Sequence, residues 1–169
     1  TVRPDQIPFP GVISFAVEEA TTNLFSLPVT EYYPFDTWNI LEPDPTGRFE
    51  SVIRANPRSI YVYKTISTTI DSAYSSQVWC YVSPDYDGSN VRLQKEYSLL
   101  GSANYDLTKK GTWQLLKLEN RIATGGSCRL VLYAGGDSFT NGYVLFARLQ
   151  LEQKPYCTSY VEGNRPYGK

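Results

Sequence analysis

The 169 residues fit a single domain with room for a two-layer apolar core. Lys and Arg number 16 and Asp and Glu number 17, scattered along the chain, so no basic patch is available to displace counterions from phosphates. We therefore expect no nucleic-acid partner. Polybasic attachment to a membrane is excluded on the same ground, and no apolar run reaches the roughly 20 residues that insertion across a bilayer requires.

The composition favours β-structure. Aromatic residues make up 14% of the chain, and Gly and Pro number 12 and 11. Aromatic and β-branched side chains suit a pleated, half-buried surface, while Gly and Pro supply turns. Because no segment shows the periodicity of an amphipathic helix, the sequence predicts an all-β domain.

The chain opens with a proline-rich segment. Residues 1–11 contain three prolines, and each proline removes a backbone donor and restricts the residue before it. We expect an extended arm over 1–11 that lies along its own domain or reaches a neighbouring subunit. A β-sandwich over 12–163 and a C-terminal tail over 164–169 follow.

Nine short segments, separated by turn residues, predict strands along the chain. Short strands at this spacing are typical of a two-sheet sandwich, and no fixed internal repeat indicates a propeller or a solenoid. The predicted strands cover 12–17, 37–41, 49–54, 60–66, 75–83, 90–99, 112–118, 127–134 and 143–151.

The three cysteines are too few and too far apart for a disulfide framework. Cys80 and Cys128 lie in apolar strand patterns, where a free thiol behaves as a small apolar side chain. We expect these two and Cys157 to be reduced, with a single bridge as the alternative. The odd number favours folding in a reducing cytoplasm.

Candidate catalytic groups are scarce. The sequence has no His, which removes the commonest general base and the usual partner of a Ser or Cys nucleophile. The enzymatic alternative is a pair of carboxylates at a glycosidic bond, but most candidates lie in turn sequence, where a solvated carboxylate is ordinary. We predict that the protein is not an enzyme. The candidate carboxylates are Glu31, Asp36, Glu50, Asp85, Asp87, Glu96, Asp106 and Asp137.

Tyrosine and tryptophan are the better candidates for a binding site. Tyr outnumbers Phe by 14 to 7, which indicates that many rings need a wet or hydrogen-bonded edge. A planar ring on an open sheet face can also stack on the apolar C–H face of a sugar. For those rings that lie in strands, packing in the core is the alternative. The candidate ligand-binding residues are Trp38, Tyr61, Tyr63, Trp79 and Tyr81.

Four segments carry a family resemblance. Asn23-Leu24 followed by Trp38 has the form NL…W, and 78–83, which read VWCYVS, resemble a central S-x-W-V-Y strand. Residues 111–113, which read Gly-Thr-Trp, take the place of a G-W strand entry, and 149–163 read as a Q-L-E…T-S-Y…G ending. Together these segments resemble the jelly-roll carbohydrate-binding modules that bind xylans and glucans. The resemblance implies a galactose-binding-like jelly-roll β-sandwich of two antiparallel sheets.

Glu18–Leu24, together with that ending, is similar to modules of bacteriophage tail, fibre and capsid-surface proteins. The resemblance implies a non-catalytic virion surface module, assembled in the host cytoplasm, that binds a polysaccharide or cell-surface glycan and contacts other virion proteins. The alternative is a decoration, or cement, protein of a capsid or tail that acts through protein contacts. With the arm, the resemblance leads us to expect a homo-oligomer, a trimer on a fibre or capsid axis.

Related modules often bind a structural Ca²⁺ through an Asp pair in the last strand. Here 144–148 read VLFAR without a carboxylate, and Glu31 is the one acidic residue that resembles an early ligand. Because a hard cation needs several oxygen ligands, no calcium site is assigned and no cofactor is expected.

Overall fold

A computed structural model describes residues 20–24, 39–59, 61–136, 139–161 and 164–165. Within these ranges, no helix is long and apolar enough to cross a membrane. A short 3-10 helix covers Leu107–Lys109. The strands are β1 (Thr21–Thr22), β2 (Asn39–Pro43), β3 (Ser51–Ala55), β4 (Tyr61–Ser67), β5 (Ala73–Val82), β6 (Arg92–Tyr97), β7 (Gly101–Asn104), β8 (Trp113–Ile122), β9 (Ser127–Tyr133), β10 (Val144–Glu152) and β11 (Asn164–Arg165).

The strands form two large antiparallel sheets and a small one. The five-stranded sheet has the order β2-β3-β10-β5-β8, and the four-stranded sheet has the order β4-β9-β6-β7. Strands β1 and β11 form a separate two-stranded ribbon. All of these pairings are antiparallel, which confirms the predicted all-β sandwich.

One apolar core lies between the two large sheets. Successive side chains of a strand point to opposite faces, so β5 directs Val78, Cys80 and Val82 into the core. Its intervening residues Trp79 and Tyr81 lie on the outer face, where they are partly buried. Each fully buried apolar side chain stabilises the sandwich by about 1.5–3 kcal/mol.

Eight predicted strands have counterparts in the structure, with ends displaced by a few residues. The ninth, 12–17, and the predicted arm, 1–11, lie outside the described residues. Strand β7 was not predicted, because its sequence Gly-Ser-Ala-Asn is poor in strand-forming residues; its pairing with β6 defines it. Residues 164–165, assigned to the tail, pair with β1.

The cysteines are free thiols. Cys80 and Cys128 are buried in the core, as their apolar strand patterns predicted, and Cys157 is partly buried. Burial holds the pKa of the Cys80 thiol well above its ordinary value and raises that of Cys128 to about 11. These two thiols are therefore packed as small apolar side chains.

Candidate functional site

The segment 153–161, here called the closing segment, covers one half of the outer face of the five-stranded sheet and leaves the other half to a different set of side chains. Gln77 and Gln150 donate side-chain hydrogen bonds to the carbonyl oxygen of Thr158, at 3.0 and 3.2 Å. The Gln150 side chain also accepts from the backbone N–H of Val161 at 2.7 Å. The closing segment therefore lies against one half of this face and covers it.

The other half is aromatic. Five partly buried rings cover Val52, Leu145 and Ala147, which are buried although they lie outside the main core. Because directly opposed residues of antiparallel strands share a face, the register that pairs Leu145 with Tyr81, and Tyr81 with Trp113, builds this surface. We call it the aromatic face; its rings are Phe49, Trp79, Tyr81, Trp113 and Tyr143.

Three of the rings form a strip across the strands. Tyr81 and Trp113 have centroids 5.5 Å apart, and Tyr81 and Tyr143 are stacked with centroids 6.3 Å apart. These separations are those of interacting aromatic pairs. Burial, reinforced by Tyr143 and other neighbours, raises the pKa of Tyr81, so its phenol stays protonated and can donate a hydrogen bond.

A loop anchored by Asp44 borders this strip. The Asp44 carboxylate accepts hydrogen bonds from the backbone N–H groups of Thr46, Arg48 and Phe49, at 2.8, 3.0 and 2.8 Å. Burial tends to raise the pKa of Asp44, but these bonds outweigh it and the pKa is lowered. The Thr46 hydroxyl accepts from the indole N–H of Trp113 at 2.9 Å, so the loop fixes the orientation of that ring.

Two guanidinium groups cover two other rings. The Arg48 guanidinium carbon lies 4.3 Å from the Trp79 ring centroid, and that of Arg54 lies 4.4 Å from the Tyr143 ring. In the described ranges, no cation lies over Tyr81 or Trp113. These two neighbouring rings therefore differ from Trp79 and Tyr143, which a guanidinium covers.

The predicted aromatic residues do not share one face. Trp79 and Tyr81 lie on the aromatic face, whereas Tyr61 and Tyr63 lie side by side on the outer face of the four-stranded sheet, with centroids 5.6 Å apart. Alternation along a strand separates inner from outer residues but does not say which sheet the strand joins. Trp38 lies outside the described residues. The binding role of all five stays a prediction.

Two of the candidate carboxylates form hydrogen bonds or ion pairs away from the aromatic face. Asp87 accepts from the backbone N–H groups of Thr140 and Asn141, and Glu96 pairs with Arg129. Across the described ranges, no three His, Cys, Asp or Glu side chains cluster. Other candidate carboxylates lie outside those ranges: Glu31, Asp36 and Asp137.

Solved carbohydrate-binding modules are similar in fold. TmCBM61, in complex with β-1,4-galactotriose, has a TM-score of 0.55 at 8% identity, covering 73% of this chain and 87% of that chain. The CBM22-1-GH10 modules of Clostridium thermocellum endo-1,4-β-D-xylanase 10B, complexed with xylohexaose, have a TM-score of 0.54 at 11% identity, covering 87% of this chain and 30% of that one. No family model and no curated protein matches the sequence. These identities establish the β-sandwich fold alone.

Proposed function

We propose that this domain is a non-catalytic module that binds a glycan on its aromatic face. The observation that carries the proposal is the adjacent pair of rings, Tyr81 and Trp113, over which no cation of the described residues lies. Sugar rings offer apolar C–H faces that stack on such rings, and hydroxyls that bond to polar edges. The similar solved modules hold a galactotriose and a xylohexaose, which supports this ligand class.

The geometry favours a glycan that lies across the strands. Arg54, Leu145, Tyr81 and Trp113 form one cross-strand row over β3, β10, β5 and β8. Four strands at about 4.8 Å spacing extend over about 14 Å, which gives a short oligosaccharide room to lie along the row. The open rings occupy the β5 and β8 end of this row.

Alanine substitutions on the two sides of the sandwich test the proposal. We expect Tyr81→Ala and Trp113→Ala to weaken binding to the glycan that an array identifies by roughly tenfold or more, because each removes a stacking surface. Tyr61→Ala, on the opposite side, is the matched control and should bind as the natural chain does. Calorimetry measures the affinities, and circular dichroism verifies the fold of each variant.

The outcomes of that comparison differ sharply. A loss of binding in Tyr61→Ala with none in Trp113→Ala would assign the site to the other sheet. Absence of binding to any glycan class at millimolar concentration would contradict the proposal itself.

We propose further that the module belongs to a virion. Support comes from the likeness of 18–24 and 149–163 to modules of bacteriophage particle proteins.

The second candidate function, decoration of a capsid or tail through protein contacts, is favoured by the proline-rich arm over 1–11, since arms commonly join subunits. Deletion of 1–11 should then lower the oligomeric state, a trimer by our expectation, as measured by analytical ultracentrifugation. An unchanged mass would count against the decoration role.

A further inference from the structure

Two arginines of the aromatic face have no carboxylate partner in the described part of the chain. The guanidinium carbons of Arg48 and Arg148 lie 5.4 and 5.0 Å from the Phe49 ring centroid, and both side chains are exposed. No described Asp or Glu oxygen lies within 4.0 Å of either guanidinium. Two positive charges therefore converge on one ring of the aromatic face.

The backbone at Arg148 is unusual for an arginine. The residue lies where the register of β10 shifts, between Ala147 and Gln150, and its φ is 53°. Glycine adopts this left-handed conformation without the steric cost that a side chain incurs. Such bulges re-aim side chains beside binding sites. Here the bulge directs a guanidinium between the Phe49 ring and Tyr160 of the closing segment.

Two carboxylates of the neighbouring strand and loop already have partners of their own. Glu42 pairs with Arg54 at 3.2 Å, and Asp44 accepts three backbone N–H groups of its loop. Asp85 is exposed and acts electrostatically on Tyr81. Neither Glu42 nor Asp44 forms an ion pair with Arg48, so the guanidinium can accept a ligand carboxylate as its partner.

We propose that the glycan bound on the aromatic face is acidic: a polysaccharide whose sugar units carry carboxylates, that is, a uronate polymer. The inference rests on the proposed function of this face. A guanidinium that lies over a ring keeps its N–H edge for a bidentate carboxylate. Tyr81 and Trp113 stack on the sugar rings, while Arg48 and Arg148 bind the carboxylates. A neutral glycan would offer neither guanidinium a carboxylate partner.

Matched pairs of polysaccharides test the charge requirement. Calorimetry compares polygalacturonate and alginate with their carboxyl-reduced, neutral counterparts at low ionic strength. We expect at least one acidic polymer to bind roughly tenfold or more tightly than its reduced form, and added salt to weaken that binding. Dextran sulfate separates carboxylate recognition from general attraction to anions, and equal binding to it would overturn the assignment.

Two arginine variants and one control locate the interaction. Arg48→Gln and Arg148→Gly should each weaken binding of the acidic glycan by roughly tenfold, because each removes charge-assisted hydrogen bonds. Arg148→Gly should melt at or above the temperature of the natural chain, because glycine relieves the backbone at φ 53°. The control, Arg92→Gln, removes a guanidinium 4.1 Å from Tyr133 on the opposite face and should bind normally.

The failures are distinguishable. Equal affinity for acidic and reduced polymers, or full affinity in both arginine variants, would overturn this inference and leave glycan binding intact. Failure to bind either form, or any neutral glycan, would contradict the proposed function.

Discussion

The carboxylate of Glu152 accepts hydrogen bonds from both the backbone N–H of Thr158, at 2.8 Å, and the hydroxyl of the same residue. It also accepts from the hydroxyl of Thr21, which lies 131 positions away in the sequence. Glu152 is 1% exposed, so these bonds replace water at a buried charge. One side chain thereby joins β1, β10 and the closing segment.

Substitution Glu152→Gln is expected to destabilise the domain by about 2 kcal/mol, because the amide has one acceptor oxygen where the carboxylate has two. Denaturation in guanidinium chloride at neutral pH measures the change. Glu50→Gln alters an exposed carboxylate and should stay within about 0.5 kcal/mol of the natural chain. Equal stability of the two variants would show that Glu152 does not hold the closing segment.

Stability is expected to fall in acid. Burial acts to raise the pKa of Glu152, but its hydrogen bonds dominate and lower the pKa from its ordinary value of 4.5; Asp44 is lowered similarly from 3.8. The folded state therefore binds protons less readily than the unfolded chain. The stabilisation is fully present above about pH 4.5 and is lost as the pH falls through the lowered values. Denaturation midpoints measured from pH 6 to about pH 2 should decline less steeply in Glu152→Gln.

Thr46→Val removes the acceptor that orients the Trp113 indole. We expect glycan affinity to fall about threefold to tenfold, because one hydrogen bond of about 1 kcal/mol fixes the ring, while the melting temperature changes little. Thr65→Val, at an exposed position of β4, is the control. Calorimetry measures the glycan affinity, and tryptophan fluorescence followed during heating measures the melting temperature. Unaltered affinity would show that the Trp113 ring does not need the Thr46 hydrogen bond.

Lys95 is expected to make stability rise with pH on the alkaline side. Its ammonium lies between the sheets, 3.4 and 3.3 Å from the carbonyl oxygens of Tyr74 and Leu118, and burial lowers its pKa from 10.5 to about 8. Between about pH 8 and pH 10.5 the unfolded chain therefore keeps a proton on Lys95 that the folded chain has released. The cost of burying the charge is present below about pH 8 and is relieved as the pH approaches 10.5.

Lys95→Met tests this contribution by comparison, because the thiols of Cys80, Cys128 and the partly buried Cys157 act in the opposite direction above about pH 9 in both proteins. We expect the variant to be more stable by about 1–3 kcal/mol at pH 7 and the difference to shrink towards pH 10.5. A difference that is independent of pH would contradict the charged state of Lys95 in the core.

Thiol reagents test the burial of Cys80 and Cys128. Both should react only after denaturation, since they are buried and their pKa values are raised by burial. Mass spectrometry counts the labels before and after addition of denaturant. Rapid labelling of both in the native protein would contradict the strand assignments of β5 and β9.

The sequence predicted the β-sandwich and most of its strands, because short runs of aromatic and β-branched residues between turn residues are local patterns. It did not predict Trp113 as a site residue, since its place beside Tyr81 depends on the register of β8 against β5. The role of Arg148 depends on a bulge that no local pattern marks. In this chain the Q-L-E…T-S-Y ending places Gln150 and Glu152 where their side chains form hydrogen bonds with the backbone of Thr158.

The closing segment also determines how a ligand can approach. The closing segment, 153–161, covers one half of the outer face, and Tyr160 contacts Arg148 there. A glycan that ran parallel to the strands would therefore collide with that segment. A chain that crosses the strands meets no such barrier among the described residues. We therefore expect the module to recognise single, separated polymer chains in one direction, and to ignore the broad flat surfaces of crystalline polysaccharides.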